Sequence, residues 1–250
     1  MRTSSTIRVG YGHFQAPSGF SIWTPTFKNV DQTDFSLLDV TPCKVDTTVI
    51  DGDAKVKIFK LNTDNTWGAT YSWYGSKGGW SKDNGATIVT DKAEVKFTVG
   101  EGFAMNNSLT EGSGRTAKAV PVAFRVAGEV DLTCQNTCPS GFAICGNSSP
   151  VARDLTDFIP RKTDGSVVDG DAKVKVFKIN TDNTWGATYS WYGSKSGWSK
   201  DNGATILTDK TEVVFAAGEG FAMNNSLTEG SGRTAKAVPV VMSYTSPVAK

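Results

Sequence analysis

The sequence predicts an all-β chain built as two tandem, nearly identical modules, each a β-sandwich or a barrel-like closed sheet. Three observations carry that expectation. Val49 to Phe124 matches Val167 to Met242 at a constant offset of 118, without a gap and with eleven differences. Several short segments within each copy alternate apolar and polar residues, the period of a strand packed on one face. Clusters of Gly, Asn, Asp and Ser separate these segments at spacings typical of sandwiches and barrels.

The duplication extends beyond its closest part. Pro17-Ser-Gly-Phe20 recurs as Pro139-Ser-Gly-Phe142, and Asp39-Val-Thr-Pro42 as Asp157-Phe-Ile-Pro160. The offset falls from 122 to 118 between these anchors, so the second copy is four residues shorter in a loop. The repeating unit is therefore half the chain, and the expected modules are residues 1–123 and 124–250. The junction, Val120 to Gly128, has none of the composition of a flexible linker, which predicts modules held rigidly end to end or side by side.

Within a copy, Thr66 to Trp73 alternates strictly and predicts a strand with Trp67, Ala69, Tyr71 and Trp73 on one face. Glu94 to Val99 predicts another, with Val95, Phe97 and Val99 inward. Ala54 to Leu61 and Thr116 to Val122 also read as strands. The turns fall at Asn62 to Asn65, Ser76 to Gly79, Asp83 to Gly85 and Glu111 to Gly114. A sustained 3.6 period is absent, and only Asp34 to Leu38 suggests a helical turn.

Composition narrows the function. The chain has 26 Lys and Arg against 25 Asp and Glu, without the basic surplus that phosphate binding requires, so nucleic acid is not an expected partner. No apolar run is long enough for a membrane-spanning helix, and insertion into a membrane is not expected. Residues 1–9 lack the apolar segment of a secretory signal. That pattern fits a virion protein assembled inside a host cell, or a mature extracellular or cell-surface chain.

Candidate chemistry is sparse. The one histidine, His13, has no histidine counterpart in the second copy, so a shared nucleophile–base pair is not expected. Cys43, Cys134, Cys138 and Cys145 lie outside shared positions, in spacings that do not resemble a zinc site. Two readings stay open for them, one or two disulfides or free, partly buried thiols. The acids common to both copies, Asp51, Asp53, Asp64, Asp83, Asp91, Glu94, Glu101 and Glu111 among them, sit mostly in turns, where carboxylates bond local backbone. No metal, cofactor or catalytic residue is expected, and the chain reads as a non-enzyme.

The aromatic residues offer more. Trp67, Tyr71 and Trp73 share a face opposite Gly, Thr and Ser, the pattern of a core strand. Tyr74 points the other way and Trp80 follows a glycine turn. With Tyr192 and Trp198, they are the candidates for a ligand or partner surface. Lys96 and Thr98 become Val214 and Ala216 in the second copy, which predicts an apolar face covered by the first module or by a neighbouring subunit.

The run Gly100-Glu-Gly-Phe-Ala-Met-Asn106, preceded by an alternating strand, resembles a phrase in uncharacterised tandem β-sandwich repeat modules of bacterial surface and phage virion proteins. The resemblance covers short stretches of each unit. It implies a sandwich module without catalytic residues to carry over. Together these readings lead to an expected non-enzymatic structural protein, a virion shell, tail or capsid-decorating component or an extracellular fibre subunit, whose partner is itself or another structural protein. The alternative is a bivalent, lectin-like surface protein that binds glycans through two equal sites.

Overall fold

A computed structural model describes residues 9–29, 34–62, 64–98, 100–130 and 135–244. The described chain is all-β, made of small antiparallel sheets joined by turns and single 3-10 turns. None of its helices is long and apolar enough to cross a membrane.

Both halves contain the same five-stranded sheet. In the first half its order is Gly19–Trp23, Phe103–Asn107, Asp53–Leu61, Trp67–Tyr74, Gly79–Ser81. In the second it is Gly141–Gly146, Gly220–Asn225, Asp171–Ile179, Trp185–Tyr192, Gly197–Ser199. One face of each sheet supplies a core. Trp23, Val56, Ile58, Tyr71, Trp73 and Phe103 share a cluster with Phe14, Val122 and Phe124 of a second sheet. That second sheet pairs Val9–Ala16 with Val122–Val130 along its full length. In the other half, Gln135–Cys138 and Ile159–Lys162 flank Val240–Ser243 above the equivalent core.

The strand Val122–Val130 crosses the expected division between residues 123 and 124. Its residues Val122, Phe124 and Val126 pack in the first core, so the first repeat runs at least to Val130. This corrects the boundary: the stiff junction is itself a core strand of the first repeat. The helical turn expected over Asp34 to Leu38 falls later, at Leu37–Asp39, after the strand Phe35–Ser36; Ser36 Oγ accepts the Leu38 N–H (3.2 Å) and Asp39 Oδ2 accepts the Ser36 N–H (2.9 Å). The segment 116–122 is not one strand: Lys118–Ala119 pairs as a short strand, Val122 opens the next one, and the break falls at Pro121, which has no N–H to extend the ladder. The strand expected over Glu94 to Val99 narrows to Lys96–Phe97, with Val95 and Phe97 buried and Lys96 outward; Val99 lies outside the described residues.

Candidate functional site

The outer faces of the two five-stranded sheets meet. Ile22, Ala104 and Phe59 stand side by side across three neighbouring strands, each in register with the next. Ile144, Ala222 and Phe177 repeat that row in the second half. The six side chains form one buried cluster, separate from the core of either repeat. Each sheet is therefore apolar on both faces near its middle. Burying four side chains the size of Ile and Phe contributes on the order of 6–12 kcal/mol to holding the repeats together, as an upper estimate.

The seam is organised by an approximate twofold relation. A methyl group on Gly102 would lie 2.4 Å from Ile144 Cγ2, and one on Gly220 would lie 2.3 Å from Ile22 Cγ2. Trp23 bridges Glu219 as Cys145 bridges Glu101. Direct backbone bonds cross as well, from Gly102 N–H to the Ile144 carbonyl (2.9 Å) and from Phe20 N–H to the Thr181 carbonyl (2.8 Å).

A row of six aromatic rings runs through it. Phe20 contacts Phe59 at 5.8 Å between centroids, Phe59 contacts Trp67 at 4.9 Å, and Trp67 stacks on Trp185 at 6.5 Å. The second half mirrors this, with Trp185 on Phe177 at 4.9 Å and Phe177 on Phe142 at 5.8 Å. Trp67 was expected in the core with Tyr71 and Trp73, and the structure corrects this. Leu61 pairs Trp67 while Phe59 pairs Thr70, so the Trp67 strand carries one extra residue. That bulge turns Trp67 outward, onto the seam.

Two related cavities flank the row, of about 370 and 340 Å³. Lys60, Glu101 and Leu61 line the first opposite Phe142, Ile144 and Pro139. Lys178, Glu219 and Ile179 line the second opposite Phe20, Ile22 and Pro17. The lysines are already engaged. Lys60 Nζ donates to Glu101 Oε1 (2.6 Å) and to the Lys96 carbonyl (2.7 Å), and lies 4.9 Å from the Phe97 ring centre. Lys178 does the same with Glu219 (2.9 Å), the Val214 carbonyl (3.1 Å) and Phe215 (4.8 Å). With its charge matched, neither lysine is poised for an anionic ligand. The pairs brace the end of each sheet's central strand to the neighbouring loop.

The structure corrects the proposed aromatic surface. Trp80 and Trp198 are each 1 % exposed, and their indole N–H groups donate to the Val40 and Phe158 carbonyls at 2.8 Å. Each meets its core partner, Trp73 or Trp191, edge to face at 5.5 Å. The turn before them buries the following residue instead of presenting it. Tyr74 and Tyr192 are half-buried, their rings against Gly85 and Gly203. These four do not converge on a shared platform. Val214 is 39 % exposed and Ala216 is also exposed, so the first repeat does not cover this face.

The carboxylates of the turns bond backbone. Asp53 accepts the Ser76 N–H (3.0 Å), Asp64 the Thr66 N–H (3.0 Å) and Asp91 the Ala93 N–H (2.7 Å). Asp83 accepts from Ser81 Oγ (2.6 Å) and the Thr87 N–H (2.8 Å), which hold its pKa down at about 2, as the matching bonds do for Asp201. Cys43, Cys138 and Cys145 are free and buried. Burial pushes the Cys138 thiol up to about 12 and raises Cys145 well above its ordinary value, which disfavours the reactive thiolate. Cys134 lies outside the described residues, and His13 sits opposite Arg125 in the strand Val9–Ala16. No protein-family model matches the chain, and neither curated proteins nor solved structures give a significant match.

The seam was legible in part. Along Asp53–Leu61 the residues on the outer face change from Lys55 and Lys57 to Phe59 and Leu61, an apolar patch where a solvated face would stay polar. Phe20 and Ile22 add to it from the next strand but one. That shift was the available signal, and alternation alone does not reveal it.

Proposed function

We propose that this chain is a non-enzymatic structural protein, two β-sandwich modules locked into one building block of a larger assembly such as a virion shell or tail or an extracellular fibre. The observation that carries the reading is the twofold seam. It fixes two nearly identical bodies in one orientation, so that every outward surface shared by the copies is presented twice at a set angle. Such a block can bridge two equivalent neighbours, as symmetric assemblies require. The exposed Val49 and Val167, equivalent in the two copies, and Val214 with Ala216 are apolar positions open to a neighbour.

The buried thiols and the backbone-bonded turn acids fit this reading. The glycan alternative has lost its aromatic basis with the burial of Trp80 and Trp198. Light scattering with negative-stain imaging of the purified chain tests the proposal. Regular shells or filaments are expected as concentration rises. A persistent single chain of 26.7 kDa at all concentrations would contradict it.

A further inference from the structure

We infer that the outer face of the second repeat's five-stranded sheet is a self-docking surface whose partner is the same face of a second chain, whenever the seam within one chain is open. The inference does not depend on the chain building a larger assembly. It follows from how the seam is composed.

In an isologous interface each patch carries both members of every contact. The second repeat meets that condition; the first does not, because a methyl group on Gly146 would lie 2.6 Å from Thr24 Cγ2, and the first repeat has Thr24 itself at the equivalent position. Gly102 receives Ile144, and Gly220 receives Ile22; the second repeat owns both an isoleucine (Ile144) and a glycine (Gly220), and the first owns Ile22 and Gly102. Trp67 stacks on its own counterpart, Trp185. The bridge of Trp23 to Glu219 is matched by that of Cys145 to Glu101, so each repeat holds one end of both. Phe20, Ile22, Phe59, Ala104 and Trp67 recur unchanged as Phe142, Ile144, Phe177, Ala222 and Trp185. Leu61 is replaced by Ile179, a swap of equal size. Two second repeats therefore have the groups needed to pair with each other, with Gly146 meeting Gly146, whereas Thr24 obstructs the pairing of two first repeats.

In the intact chain the linked repeats meet at high effective concentration, and the intramolecular seam wins. A charge on one face changes the outcome. Phe59 packs in the seam cluster and not in the core of its own repeat. A carboxylate there is excluded from an apolar interface, so the seam opens and that face hydrates. The second repeat's face is then left without a partner inside its own chain, and it pairs with the same face of another chain.

The test is sedimentation velocity on full-length F59D, F177D and the combined F59D/F177D, with the wild-type chain's smallest species as reference. F59D is expected at twice the wild-type mass. F177D and the combined variant are expected at one chain mass, the first because Thr24 obstructs its free face and the second because neither face can pair. A charge that creates a dimer, abolished by a second charge, is the signature. The variant I22D/F59D places two carboxylates on one face and guarantees an open seam. One chain mass for both F59D and I22D/F59D, in proteins that still unfold cooperatively, would overturn the inference. A dimer that survives in F59D/F177D would also overturn it, because association would then use another surface.

Discussion

Individual side chains in this protein are occupied with closing turns and filling cores. Asp83 and Asp201 show how. Each accepts a serine hydroxyl and a threonine backbone N–H, bonds that need the ionised carboxylate, and each pKa falls from 3.8 to about 2. A pKa lower in the folded than in the unfolded state stabilises the fold above the unfolded value. That contribution is lost as pH drops through the folded value. The stability of the wild-type chain is therefore expected to decline between about pH 4 and pH 2 partly through these two groups. The variant D83N/D201N is expected to be less stable at neutral pH and to lose less over the same acid range. Denaturant unfolding at a series of pH values checks this, and parallel acid limbs in the two proteins would contradict it.

The residue scale is also where the sequence was hardest to read. The turn acids were legible because Asp and Asn followed by Thr or Ser at short spacing signal local bonding. Trp80 and Trp198 were not. A tryptophan after a glycine turn looks exposed, yet Gly79 and Gly197 pack under Ile88 and Ile206, and the indoles fold inward to the Val40 and Phe158 carbonyls. A carbonyl forty residues away leaves no local trace. Trp67 was misplaced for another reason: the strict alternation from Thr66 to Trp73 hides the extra residue that reverses its face.

Among the elements, the five-stranded sheet is the one that decides the architecture. Its inner face follows the alternation read from sequence, and its existence in both copies was implied by the duplication. Its outer face is what joins the repeats, and the glycines set how close they come. A methyl group at Gly220 would lie 2.9 Å from the Cys145 carbonyl oxygen as well as 2.3 Å from Ile22 Cγ2. Backbone on one side and a packed isoleucine on the other leave little room to yield. Gly220→Ala is expected to cost about 1–3 kcal/mol of stability by overpacking the seam. Equilibrium unfolding in urea measures it; wild-type stability in this variant would show that the sheets do not approach so closely. The bulge at Trp67 belongs to the same scale, because it delivers an indole to the seam that strict pairing would have sent to the core.

At the scale of the molecule, two repeats share one axis, and this relation supports both the assembly reading and the self-docking of the second repeat's face. The duplication was legible in the sequence, but the course of Val122–Val130 was not, because this strand continues the first core beyond the closely matched segment. How the repeats meet was visible only as a patch of outward Phe, Ile and Leu. The most direct test of the arrangement is the exciton coupling of Trp67 and Trp185 in far-ultraviolet circular dichroism, 6.5 Å apart and near parallel at 26°. Trp73 with Trp80 and Trp191 with Trp198 supply a constant background. The seam predicts that W67F and W185F remove the same couplet, and that the double variant removes no more than either alone. Independent losses that add in the double variant would mean the two indoles never meet, and the repeats would not be joined through these faces.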